Sequence, residues 1–275
     1  MMQQYKDIIS TVDIQIQETD RQSANHYYKT ASLLRSITGV FVIFAIVSLV
    51  FHLKMQDAAY VLMMISFLLF IWYRKTNSAK IRNILLKDCD PVRMLSFHTA
   101  LISNSSRNKV WRLHFYNTCS ALYYAGRFDD AKKVLALFSK YCSDNASRFS
   151  YELLWAKLSY YEKDEAALSA HCKRLEELAK MVHPTGAFRP LYTEAMTYPV
   201  LLQLENAKEY QKLYDIFQQG YTSYYDSMIS KVKANYMMYQ VAMAMGDEQT
   251  AKRHRDFVLK NGGSLWYRKA VERNG

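Results

Sequence analysis

Glycine and proline are scarce in this chain, at 8 and 4 of 275 residues. Sandwiches and barrels of many short strands use turn residues far more often, and collagen-like or proline-rich segments are excluded outright. Methionine, leucine, alanine and tyrosine are abundant instead, which favours helices over strands. Cysteine is also rare. Cys89, Cys119, Cys142 and Cys172 form no CxxC pair and no Cys/His set with zinc spacing. Most sit among apolar neighbours, so free, buried thiols are predicted, as suits a reducing compartment.

Signatures of catalysis are missing as well. The chain has no Walker loop, no GxGxxG, no HExxH and no GxSxG. Its histidines (26, 52, 98, 114, 171, 183 and 254) are scattered. His171 and Cys172 are neighbours in sequence, but adjacent side chains on a helix point about 100° apart, so they make no dyad. Glu176-Glu177 and Asp129-Asp130 read as solvated helix faces. Neither an enzymatic activity nor a cofactor nor a metal site is expected. Asp7, Asp13, Glu18 and Asp20 precede any apolar run, unlike the short basic start of a secretory signal, so the first apolar run is expected to be an uncleaved anchor.

Two long apolar runs dominate what is present. Ser36 to Leu53 carries no formal charge, and after Lys54-Met55-Gln56-Asp57 the same holds for Ala58 to Tyr73. About 20 mostly apolar residues cross a bilayer as a helix, and neither run has the polar stripe of a soluble core helix. The pair is predicted to be a transmembrane helical hairpin spanning residues 31–75. Residues 1–30, with Ile8, Val12 and Ile16 on one face, are predicted to form an amphipathic helix. It would dock on the soluble part, lie on the membrane or serve as an association seam. Residues 76–107 are expected to be basic juxtamembrane helices, the second span running on through Lys80 and Arg82 towards Leu86. Asp90-Pro91 starts a new helix that ends near Ile102.

Charge is distributed unevenly. Residues 1–73 net zero, 74–112 net +7, 113–251 net −1 and 252–275 net +5. Lys and Arg near span ends stay on the cytoplasmic side, so the expected location is a cell's inner membrane, with two spans and both termini cytoplasmic. Arg74, Lys75, Lys80 and Arg82 are the candidate contacts to the anionic inner leaflet. The basic stretch from Lys252 to Arg273 fits the same account. No motif supports a nucleic-acid role.

From Lys109 onward the chain reads as four helix pairs. Gly126, Phe128, Asp129, Asp130 and Ala131 follow the first helix of the first pair. Gly246, Asp247, Glu248 and Ala251 recur in the fourth. Lys163-Asp164-Glu165-Ala166 lacks the glycine, and Asn206-Ala207-Lys208-Glu209 lacks both it and the clear small residue. This pattern resembles the tetratricopeptide repeat. The resemblance implies an all-α fold in which residues 108–275 form a tetratricopeptide-like α-solenoid of about four helix pairs behind the hairpin. It also implies a concave groove, lined by the first helix of each pair, that binds a protein or peptide partner. Trp111, His114, Asn117, Tyr151, Trp155, Tyr192, Asn235 and Tyr239 are the groove candidates, with core packing the alternative for each aromatic. The groove would be open to a partner, or filled by the chain's own N-terminal helix or C-terminal tail. The function expected is a membrane-anchored adaptor or scaffold; the alternative is an accessory subunit of a membrane transport or secretion complex.

Overall fold

A computed structural model of the chain describes residues 12–51, 56–103, 111–140, 142–184, 188–219 and 227–273. All regular structure among them is helical. The helices are α1 (Glu18–Val50), α2 (Gln56–Leu86), α3 (Pro91–Ser103), α4 (Trp111–Tyr124), α5 (Phe128–Ser139), α6 (Asn145–Glu162), α7 (Glu165–Val182), α8 (Phe188–Asn206), α9 (Tyr210–Gln219), α10 (Met228–Met245), α11 (Glu248–Asn261) and α12 (Trp266–Arg273).

α1 and α2 are long and apolar enough to cross a membrane, and only 11% of each apolar window is buried. A core helix of a soluble domain would be covered; here Val40, Val50 and Trp72 are each more than 60% exposed. The two helices meet through small residues. Ala31, Ala45 and Ser48 of α1 and Ala59 and Ser66 of α2 are buried, so the backbones approach closely. At about 1.5 Å per residue, α1 (33 residues) and α2 (31 residues) are each more than half as long again as a roughly 30 Å hydrocarbon layer is thick. The excess forms a two-helix stalk, where Tyr27 and Tyr73 stack at 6.0 Å.

The separate helix expected over residues 1–30 is absent from the described part of that segment. Residues 14–17 are extended, and helix runs unbroken from Glu18 into the apolar run; residues 1–11 lie outside the described residues. The first segment after the stalk also differs from expectation. α3 starts as read, with Asp90 accepting from the Arg93 amide at 3.0 Å. Yet Met94 to Leu101 are all buried, so α3 is a core helix between stalk and domain and not a membrane-surface one.

The pairs α4–α5, α6–α7, α8–α9 and α10–α11 share one turn. Gly126, Lys163, Lys208 and Gly246 are all left-handed, with φ of 78°, 58°, 57° and 76°. In each turn that residue's amide bonds the carbonyl three back, and the next amide bonds the carbonyl five back from itself. This double bond caps the orphan carbonyls of the first helix. The second helix then starts with a side-chain cap at Asp164 and Asp247, as does α6 at Asp144.

Two cores result. One joins α3, α4, α5, α11 and α12; the other joins α7, α8 and α9. α6 and α10 feed both. On α10, Ile229, Val232, Tyr236 and Tyr239 face the first core, whereas Ala234, Met238 and Val241 face the second. A helix buried all round has no polar stripe, and α10 has none.

Candidate ligand cavity

The groove candidates whose side chains are described do not converge on one surface. Trp111 and His114 belong to α4, but their side chains lie outside the described residues. Asn117 is partly exposed on α4. Tyr151 and Trp155 meet edge to face at 6.3 Å, and Trp155 stacks on His171, whose Nδ1 lies 2.6 Å from Glu152 Oε2. Tyr192 packs beside Phe149 in the second core. Asn235 turns outward to α11, its Oδ1 2.8 Å from His254 Nδ1. Tyr239 is buried in the first core and lines no open surface. The lipid candidates Arg74, Lys75, Lys80 and Arg82 are all exposed along the C-terminal part of α2, with Arg74 over the Phe70 ring at 5.7 Å.

Chemistry gathers instead where α6, α8 and α10 cross. Lys157 of α6 and Lys233 of α10 are 8% and 5% exposed. Lys233 Nζ donates to Glu194 Oε1 at 2.5 Å and to the Tyr198 hydroxyl at 3.1 Å. Lys157 Nζ donates to the Tyr124 hydroxyl at 2.9 Å and lies over the Tyr124 ring at 4.9 Å. Burial alone would raise the carboxyl of Glu194, but Lys233 and Lys157 overcome it and hold the group well below the usual carboxylate range. Burial pushes Lys233 down to about 8, against the pull of Glu194 and with the repulsion of Lys157. For Lys157 burial acts downward too, but Glu194, Tyr116 and Tyr123 outweigh it and the group is raised. Among the described residues one carboxylate thus serves two buried ammonium groups.

Above Lys233 opens a cavity of about 720 Å³. Its walls are the α4–α5 turn, the ends of α6 and α8, one side of α10 and the whole inner face of α12. The lining is aromatic: Tyr123, Phe128, Tyr161, Tyr236, Trp266 and Tyr267. Phe128 and Tyr161 stack at 3.7 Å, and Trp266 stands edge-on to Phe128, Tyr161 and Tyr236 at 5.1–5.5 Å. Gly126 makes room for that indole, since a Cβ there would lie 2.8 Å from Trp266 Cβ. The Trp266 Nε1–H is buried and meets no acceptor among the described residues. Basic groups on the wall are Lys163, Lys233, Lys269 and Arg273, against the one acid Glu205, which Lys163 binds at 2.5 Å.

Both segments that flank the hairpin grip this cavity's walls. Before α1, the carbonyls of Val12 and Asp13 accept from the Arg127 guanidinium beside Gly126, and the Gln17 amide donates to Ser96 Oγ at 2.8 Å. After α2, the Cys89 carbonyl accepts from the Ser264 amide at 3.1 Å, and Ser264 Oγ donates to Asp90 at 2.7 Å. Ser264 stands two residues before Trp266.

Among the residues of the cluster and the cavity, Gly126 and Phe128 read in the sequence as repeat signature, Lys163 as part of a weakened repeat turn, and Lys269 and Arg273 as part of the basic C-terminal stretch. Lys157, Glu194, Lys233 and Trp266 are not singled out by it. Lys157 interrupts a largely apolar helical stretch, LLWAKLSYY, but Lys233 stands in SKVKANYMM beside Lys231 and Asn235 and is not set apart by its neighbours. The cysteines are free, and Cys89, Cys119 and Cys172 are buried. Burial, with Asp88 adding to it, pushes the Cys89 thiol up to about 12, so it is no nucleophile. No three His, Cys, Asp or Glu side chains converge as metal ligands among the described residues. No protein-family model matches the chain, and neither a curated protein nor a solved structure shows significant similarity to it.

Proposed function

We propose that this chain is a membrane-anchored adaptor. α1 and α2 cross a cell's inner membrane as a hairpin with both ends on the cytoplasmic side. The tetratricopeptide-like helical domain holds a segment of a partner protein there, without catalysing a reaction on it. The observation that carries the reading is the cavity itself: about 720 Å³, walled by aromatic rings and tied at two points to the hairpin. Specific sites commonly enclose about 300–1,000 Å³, and aromatic side chains give large contact area for few frozen torsions. The site is a partly open cavity lined by α4, α6, α8, α10 and α12.

The exposed apolar surface of α1 and α2 supports insertion, since a soluble monomer rarely presents patches of that extent. Orientation follows from Arg74 and Lys75, exposed immediately after the apolar run. Both sit at headgroup level. Lys80 and Arg82 follow about 9 and 12 Å further along the helix. That is near or beyond the roughly 8 Å screening length of physiological salt, so they feel the leaflet less.

Two measurements test the reading. With Cys142 replaced by Ser, Asp57→Cys should react with a membrane-impermeant maleimide in intact cells, and Lys269→Cys only after permeabilisation. A photoreactive residue at Gln240, exposed at the cavity mouth, should crosslink one cytoplasm-facing protein in native membranes. A photoreactive residue at the exposed Val61 should crosslink lipid. Crosslinks from Val61 to other membrane-spanning chains, with none from Gln240, would replace the adaptor by an accessory subunit of a membrane complex.

A further inference from the structure

We infer that the cavity selects an acidic peptide segment, one in which a carboxylate stands beside an aromatic or aliphatic side chain. The inference rests on reading the cavity as the partner site and names the chemistry of what enters it.

Four observations converge. Trp266, Lys269, Ala270 and Arg273 recur at i, i+3, i+4 and i+7, so one face of α12 forms a cavity wall and presents two cations at its rim. The acid on that helix, Glu272, is held by Arg268 at 2.8 Å on another face. The acid that does line the cavity, Glu205, is bound to Lys163, and no described carboxylate pairs with Lys269 or Arg273. The walls between these cations are aromatic, with Phe128, Tyr161, Tyr236 and Trp266 lining the same cavity.

A net positive rim attracts anions, and the low-dielectric aromatic walls strengthen that attraction. The Trp266 Nε1–H adds a buried donor that meets no acceptor among the described residues. A carboxylate oxygen satisfies it, whereas an ammonium group cannot. The rings that surround the indole supply apolar contact for the neighbouring side chain. A basic or purely apolar segment would leave the rim cations unanswered.

The test uses the full chain in phosphatidylcholine nanodiscs and fluorescein-labelled hexapeptides read by anisotropy. One peptide alternates aspartate with phenylalanine; a second has asparagine for aspartate; a third is neutral but ends in a free carboxylate. The aspartate peptide should bind at least tenfold more tightly than the asparagine one, and the preference should shrink as salt rises. The third peptide separates the two sources of carboxylate: binding equal to the first assigns a chain terminus, binding equal to the second assigns a side chain. The doubly substituted K269E/R273E variant, altered only at exposed positions, should abolish the preference. Trp266→Phe should weaken the aspartate peptide more than the asparagine one. Equal binding of the aspartate and asparagine peptides, lost in Trp266→Ala, would overturn the acidic preference and leave the adaptor reading intact. Binding unchanged by every substitution would overturn it too, by placing the peptide elsewhere. Absence of binding together with absence of crosslinks from Gln240 would overturn both.

Discussion

At the scale of single residues, Glu194 is the group on which the domain's interior depends. It is the described carboxylate that answers both Lys157 and Lys233. Removing one partner of a buried ion pair leaves an uncompensated charge and costs about 3–5 kcal/mol. Glu194→Gln should therefore lower the urea midpoint sharply, and adding Lys157→Met should recover part of the loss; no recovery would mean the lysines are not coupled through Glu194. The pH dependence has a definite sign. Lys233 titrates near 8 in the folded chain because burial disfavours its charge. Between that value and the ordinary lysine range the unfolded chain binds the extra proton, so this group's contribution to stability rises with pH. Glu194 acts at the other end: its stabilisation is complete above the ordinary carboxylate range and is lost as pH falls towards its depressed folded value. Urea midpoints at pH 7.5 and 9.5 should show the natural chain gaining on Lys233→Met; a constant difference would refute the shift. None of this cluster was legible beforehand. A lysine within an apolar stretch ordinarily extends its stem and keeps its ammonium in water. Only the three-way crossing of α6, α8 and α10 denies it that exit, and no local pattern encodes the crossing.

The helices and their turns were far more legible. Caps are local chemistry: Asp144, Asp164 and Asp247 bond amides three residues on, and Gly126 and Gly246 supply left-handed turns. The weak points of the repeat pattern, Lys163 and Lys208, adopt the same turn without glycine. Left-handed backbone costs a residue with a Cβ about 1–2 kcal/mol, and the double carbonyl cap imposes it regardless. Lys208 is exposed, so Lys208→Gly should stabilise the chain by about 1 kcal/mol. At Gly246 an added Cβ meets nothing within 4 Å, so Gly246→Ala should cost only that backbone strain. At Gly126 the same change also drives Trp266 from its seat and should cost more, with loss of the cavity. Equal melting shifts for the two alanine variants would show that Trp266 does not rest on Gly126. What the pattern missed at this scale were elements whose faces are set by distant partners. α3 reads as basic and peripheral but is enclosed, and α1 reads as two segments but is one helix.

For the whole molecule, the question is whether hairpin and cavity move as one body. Legibility ended here too, because the contacts that join them span the chain: Arg127 to Val12 and Asp13, and Ser264 to Cys89 and Asp90. The second clamp is the tighter. Gly263 has φ of +50°, and a Cβ there would lie 2.5 Å from the Cys89 carbonyl oxygen, a distance that backbone cannot relax by turning a side chain. Gly263→Ala must therefore part the turn after α2 from the segment that leads into α12. Trp266 follows within three residues, so the cavity wall should shift with it. Cys89 reports the event directly: it is fully buried and its thiol is held protonated, hence unreactive. With Cys142, the half-buried thiol, changed to Ser, the natural chain should resist thiol-specific alkylation in nanodiscs. Gly263→Ala should expose Cys89 to alkylation and weaken peptide binding by tenfold or more, while the melting of α6 to α9 stays near that of the parent. If Cys89 reacts freely and peptide affinity does not change, the clamp holds the chain together without shaping the cavity. If both change together, the apolar hairpin and the cavity wall are mechanically one, and a displacement of α1 and α2 has a direct path to the cavity.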